Sequence, residues 1–346
     1  MSNKTYKEII YLAKPHKAIE KEYKGYKSFY ESAEQELKKY CTVETLDVHD
    51  IWLRDFFPLQ NPHNKKLFTY NYDPLYKIEK YYSDYAECRK FVRNKFKQAT
   101  ELGIWMDGGN FIHNGRFGIF LDTNATNIGV KSKVLEEALK IKIIALPYRL
   151  NVPEDDPTGH VDGVMQFLGE NILFITEPYD PEDQGEKEER TNWKKIITKA
   201  TDGKLKIVDL PNAWAECKPA DDGNKYESVK GIYVNFLETE NFVFVPKYDV
   251  AKDDPAHKAI QDHTDKKVFQ IDCSELSKHG GSLHCVTATL LSEIWEHPIK
   301  DEKEFPNYYP IVEDGKSRIL ILGSFPSKDW KYRGFYYGSA IIISGT

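Results

Sequence analysis

Five polar stations recur along the chain at steps of 52, 53, 75 and 50 residues: Asp55, Asp107, His160 with Asp162, Asn235, and Cys285. Each stands where a short apolar strand ends and a hairpin begins. Gathered in one place they offer three carboxylates, an imidazole and a thiol. A thiol is a nucleophile, and an imidazole passes protons near neutrality. The carboxylates stand beside no Gly-rich phosphate loop and show no metal-ligand spacing, so they want a cation. Guanidinium matches them, because its planar fork of donors meets carboxylates two bonds at a time and keeps its charge. Thiolate attack on its central carbon, with a proton delivered to the departing nitrogen, would release ammonia, and hydrolysis would leave a ureido product.

The elements that must position these stations repeat. Asn110 to Thr123 reads as a hairpin turning at Asn114-Gly115, Val164 to Thr176 as one turning at Gly169-Glu170-Asn171, and Ile232 to Val245 as one turning at Glu238-Thr239-Glu240. Helix-like stretches lie between hairpins, each leading into a short strand: Ser132 to Lys140 into Ile141 to Leu146, Asn192 to Ala200 into Leu205 to Leu210, and His257 to His263 into Val268 to Ile271. Lys27 to Tyr40 with Val43 to Val48, and Ser83 to Ala99 with Leu102 to Met106, fit the same scheme. Five helix–strand–hairpin units with a period near 50 residues point to a radial or stacked α/β architecture. The fifth hairpin has one strand only, Ser282 to Leu290, and Tyr6 to Leu12 is its expected partner. Pairing chain start with chain end would close a ring, remove its open sheet edges and bring equivalent stations to its axis. The acidic insertion Pro178 to Glu189 reads as a solvated loop, and His160 and Asp162 as neighbours on one face of a strand.

Composition agrees with this reading. The 346 residues carry 48 Lys and Arg against 54 Asp and Glu, a net charge of −6, which disfavours nucleic-acid phosphate and suits a small cationic substrate. No apolar run is long enough for a membrane span and no signal-peptide core opens the chain, so the expected setting is cytoplasmic, without a membrane partner. Cys41, Cys88, Cys217, Cys273 and Cys285 are odd in number, widely spaced and without Cys-x-x-Cys. The first four read as core filler. Arg54 reads as a structural ion-pair partner, and the Tyr-rich run Tyr70 to Tyr85 as packing.

Trp52-Leu53-Arg54-Asp55, Asp107-Gly108-Gly109-Asn110, Gly159-His160-Val161-Asp162, Tyr233-Val234-Asn235-Phe236 and Gly280-Gly281-Ser282-Leu283-His284-Cys285 resemble, in order and spacing, the agmatine deiminase and bacterial peptidylarginine deiminase family. The resemblance implies a pentein, a five-bladed pseudo-symmetric ββαβ propeller, over a domain at 1–297. It implies hydrolysis of agmatine to N-carbamoylputrescine and ammonia through an amidino-thioether, with deimination of peptidyl arginine as the alternative. Carried to matching positions, it makes Cys285 the nucleophile, His160 the general acid and then base, and Asp55 and Asp162 the guanidinium ligands. Asp107, Trp52, Asn110 and Asn235 would line the substrate pocket. No metal and no organic cofactor are implied, and a homo-oligomer is compatible. The family usually has Glu where Asp107 stands, and Asp reaches one methylene less far. Residues 298–346 fit no repeat. Arg318 to Ser327 and Gly334 to Gly338 resemble the opening of a single-domain hypoxanthine or uracil-DNA glycosylase, a truncated fragment lacking its catalytic His-Pro-x-Asn, which makes base excision through the tail the lesser alternative function.

Overall fold

A computed structural model describes residues 5–72, 82–122, 128–148, 159–217 and 228–294. The strands are β1 (Thr5–Ala13), β2 (Thr42–Leu46), β3 (Leu59–Gln60), β4 (Leu67–Asn71), β5 (Thr100–Trp105), β6 (Ile112–His113), β7 (Phe117–Asp122), β8 (Lys142–Pro147), β9 (Met165–Leu168), β10 (Ile172–Thr176), β11 (Lys206–Leu210), β12 (Leu237–Glu238), β13 (Phe242–Lys247), β14 (Lys267–Asp272) and β15 (Thr287–Ile294). They form five three-stranded sheets among the described residues, ordered β15-β1-β2, β3-β4-β5, β6-β7-β8, β9-β10-β11 and β12-β13-β14. In each sheet an antiparallel pair is followed, across a helix, by a parallel strand. This is the expected ββαβ blade, five times over.

Turn chemistry explains why the hairpins fold locally. Gly115 adopts φ 83°, and the Asn114 side chain accepts from the amides of Arg116 and Phe117 at 3.0 and 2.8 Å, which closes the β6–β7 turn without tertiary help. The helices use their apolar stripe to cover the sheets. In Tyr26–Lys38 the buried positions are Tyr26, Phe29, Tyr30, Ala33 and Leu37, one face at helical spacing. The larger core joins this face to residues such as Ile10, Leu12, Phe236 and Tyr248, and a second core around Ile119, Leu146, Phe167 and Trp193 holds the third and fourth blades.

Ring closure occurs as the pattern of the first and last strands requires. β1 pairs antiparallel with β15, Tyr6 opposite Glu293 through Leu12 opposite Thr287, and parallel with β2 on its other edge. The central strand of the first blade is therefore the first strand of the chain.

Three local expectations are corrected. The acidic insertion is only partly a loop, because a helix already starts at Gln184 (Gln184–Ala200). The Asp183 carboxylate accepts from the amides of Gly185 and Glu186, and Glu186 lies in the first turn, so the acidic run caps a helix whose N-terminus favours negative charge. Cys285 is not on a strand but on the single turn Leu283–Val286 that precedes β15. His160 and Asp162 likewise share no strand face: His160 is the extended N-cap and Asp162 lies within the turn Val161–Val164. A hairpin that the sequence did not reveal, β3–β4, opens the second blade and puts Tyr70 into the core. The expected boundary at 297/298 and the glycosylase-like stretch lie outside the described residues, as does most of the run from Tyr70 to Tyr85.

Candidate active site

Four of the five stations sit at one-turn helices between blades: Asp55 on Leu53–Phe56, Asp107 as the N-cap of Gly108–Asn110, His160 as the N-cap of Val161–Val164 with Asp162 on it, and Cys285 on Leu283–Val286. Asn235 directly follows a bend at Val234 in the fourth connection. A helical turn changes the chain's direction within three residues, so neighbours such as His160 and Asp162 can face different partners.

The nucleophile candidate is framed by Asn235 and Asp162. The Asn235 side-chain oxygen accepts from the amides of His284 and Cys285 at 2.9 and 3.3 Å, while its amide nitrogen donates to the Asp162 carbonyl at 3.1 Å and to Cys285 Sγ at 3.2 Å. Cys285 Sγ lies 3.8 Å from Asp162 Oδ2, and the same oxygen accepts from His284 Nδ1 at 2.8 Å. Burial pushes the Cys285 thiol well above its ordinary range, and the charges of Asp162 and Asp55 push it further. Burial with the nearby Arg54 charge lowers His284 to about 4, so at neutral pH His284 is a neutral donor. Burial works against ionised Asp162, but the His284 hydrogen bond and the charges of His160 and Arg54 outweigh it and hold the carboxylate below its usual range. Asp162 is therefore an anion at 1% exposure.

His160 stands between the other two carboxylates. Its Nε2 is 3.3 Å from Asp107 Oδ2 and its Nδ1 is 3.7 Å from Asp55 Oδ1. The shorter Asp107 side chain thus still reaches the imidazole, at long hydrogen-bond distance. Burial disfavours the imidazolium, yet Asp55, Asp107 and Asp162 together raise His160 to about 10, and it carries a proton at neutral pH. Burial raises Asp55 to about 7 against the opposing pull of His160. Asp55 Oδ1 also accepts from the Gly109 amide at 3.0 Å. A Cβ at Gly109 would sit 2.6 Å from both Asp55 Oδ1 and His160 Nδ1, and one at Gly108 would sit 2.0 Å from the Arg54 carbonyl. The Gly-Gly pair is the space into which the acid–imidazole cluster fits.

The remaining sequence-selected residues hold the frame. Both ends of the Asn110 amide are bonded to the Leu121 backbone at 2.9 Å, which ties the turn to β7. Trp52 is half-buried, with its ring over Gly281, where a Cβ would lie 2.2 Å from the indole. Three further residues belong to the site. His284 anchors Asp162, Tyr70 donates to the Asp55 carbonyl at 2.9 Å, and Arg54 donates through Nε to the His284 carbonyl at 3.4 Å. Arg54 has no carboxylate oxygen within ion-pair distance among the described residues, contrary to its expected role. His284 lay inside a recognised motif, but nothing in the sequence said where its ring points. No three His, Cys, Asp or Glu side chains among the described residues are placed to hold a metal ion, and no described helix is long and apolar enough to cross a membrane.

A closed ring of five ββαβ blades with a cysteine, a histidine and carboxylates at its axis defines a pentein. The family profile described as Porphyromonas-type peptidyl-arginine deiminase matches residues 10–290, and the chain belongs to that family. An inferred agmatine deiminase of Marinomonas sp. (strain MWYL1) is 22% identical over 293 residues, covering 75% of this chain and 78% of that one. Among solved structures, the agmatine deiminase of Enterococcus faecalis superposes with a TM-score of 0.65 at 16% identity, over 83% of this chain and 94% of that one. The agmatine deiminase of C. jejuni gives 0.63 at 18% identity, over 83% and 94%. The glycosylase resemblance read in the tail gains no support from these comparisons.

Proposed function

We propose that this protein is a cytoplasmic agmatine deiminase that hydrolyses a C–N bond of the guanidinium group and releases ammonia. The observation that carries the reading is the single buried cluster in which Cys285 Sγ lies 3.8 Å from Asp162 and His160 bridges Asp55 and Asp107. The names borne by the matching relatives and structures support the substrate. Five free thiols among the described residues suit a reducing compartment.

In this reading the guanidinium binds between Asp55 and Asp162 and neutralises the charges that hold Cys285 as a thiol. Cys285 then releases its proton to solvent and attacks the guanidinium carbon. His160, an imidazolium, protonates one nitrogen, which leaves as ammonia while an amidino-thioether remains on sulfur. The neutral His160 next takes a proton from water, whose oxygen adds to the same carbon. Collapse of that adduct expels the sulfur as its hydroxyl proton passes to it, which forms the ureido product and restores the Cys285 thiol. Asp107 holds His160 in line, and Asn235 and Asn110 position the turns. Thiolate and guanidinium supply the electron-rich and electron-poor partners, so the scheme calls on no metal and no organic cofactor, and no nucleic acid takes part.

The family's name favours a second reading, deimination of arginine within peptides. Ammonia release from agmatine, free arginine and a blocked arginyl peptide separates the two. We expect kcat/KM for agmatine at least ~100-fold above that for free arginine, about 2.7 kcal/mol, because the carboxylates of the site repel the arginine carboxylate. Comparable values for the blocked peptide would transfer the assignment to the peptidyl enzyme.

A further inference from the structure

Beside the reactive cluster the ring holds a cavity of about 340 Å³, to which β3, β6, β9, β12 and β15 all contribute. None of Asp55, Asp107, His160, Asp162 or Cys285 lines it. Arg54, His113 and Gln166 do. Arg54 spends only its Nε on protein, and its guanidinium finds no carboxylate within ion-pair distance among the described residues. Asp162 and Asp55 act on the Arg54 charge from beyond ion-pair distance, which leaves the terminal N–H groups of its fork without a bonded acceptor among the described residues. His113 points the same way: its Nδ1 is buried and has no hydrogen-bond partner. Burial and the Arg54 charge lower the basicity of that ring to about 4, so it enters the cavity neutral, with an N–H free to donate in one tautomer.

We infer that this cavity is a binding site for a small monocarboxylate, with Arg54 as the charged fork and His113 as the second donor. A carboxylate matches the guanidinium bidentately and leaves an oxygen edge for an imidazole N–H. The cavity is larger than one such ion, which leaves room for water beside it. Glu8 and Glu238 line the same space, against Lys65, so a dianion such as phosphate is disfavoured. Occupancy would bear on the nucleophile's neighbour, because the Arg54 Nε hydrogen bond ends on the His284 carbonyl.

The test uses bromide as a heavy-atom stand-in for the carboxylate. Crystals of the full chain soaked in sodium bromide should show an anomalous peak within hydrogen-bond reach of Arg54 and His113. Sodium formate at equal concentration should remove it, and sodium phosphate should not. Arg54→Met should abolish the peak. Should that variant fail to fold, His113→Phe, outside the reactive cluster, should fold and lower the peak at least ~3-fold. Water alone in the cavity, a peak indifferent to both substitutions, or a bromide that formate does not displace would overturn the assignment.

Discussion

Cys273 and Cys285 stand at the two ends of one connection, between β14 and β15, and both thiols are pushed upward, yet for different reasons. Cys273 is fully buried and reaches about 12 chiefly through burial, beneath the turn that carries Cys285. Cys285 is raised by burial too, but Asp162 and Asp55 add to it, and Asn235 and Asp162 hold its sulfur at 3.2 and 3.8 Å. A burial penalty persists whatever binds. A penalty from carboxylates disappears when a cation sits between them, so the proposed mechanism keeps Cys273 a thiol and lets Cys285 ionise when substrate binds.

The comparison breaks first if the two thiols prove interchangeable. Cys285→Ser should lower kcat by at least ~10⁴-fold while leaving the circular dichroism spectrum unchanged, whereas Cys273→Ser should keep turnover within about tenfold. Near-normal turnover in the Cys285 variant would sink the mechanism. Next in size is alkylation. Cationic chloroacetamidine should label Cys285 at least ~100-fold faster than neutral chloroacetamide, and neither should label Cys273, with mass spectrometry as the readout. Equal rates would mean that the carboxylates do not govern the thiol.

The third effect is a shift in pH profile. For the free enzyme, kcat/KM should rise through about 7 as Asp55 ionises and fall through about 10 as His160 loses its proton. Asp107→Asn removes a negative neighbour of His160, which lowers the imidazole's pKa, so the falling limb should move to lower pH by ~1 unit or more. An unmoved limb would detach Asp107 from His160. The smallest effect sharpens the packing side of the contrast: Cys273→Ala should cost about 1 kcal/mol in urea unfolding through the void left under the turn, with kcat/KM changed less than ~3-fold.

Much of this was written locally. The Asn114-Gly115 turn, the alternating hairpin strands and the apolar face of Tyr26–Lys38 depend on residues close in sequence, so they could be read from it. Repetition then extended local reading to long range: if five units are alike, Tyr6 to Leu12 has one vacant partner, and β1 does pair with β15. The failures are equally local. Asp183 as a cap turns an acidic loop into a helix start, and two-residue strands such as β3 carry too few side chains to show alternation.

By itself the amino-acid sequence determined the repeat, the ring closure and the types of group brought to the axis, because periodicity and residue chemistry survive without coordinates. Only the tertiary structure decided which atoms meet. One-turn helices and their caps send His160 toward Asp55 and Asp107 but Asp162 toward His284 and Cys285, and they leave Arg54 lining a cavity without a direct ion pair among the described residues. Side-chain direction at a turn depends on backbone angles that distant packing imposes, and the ionisation of a buried group depends on charges that converge from separate blades.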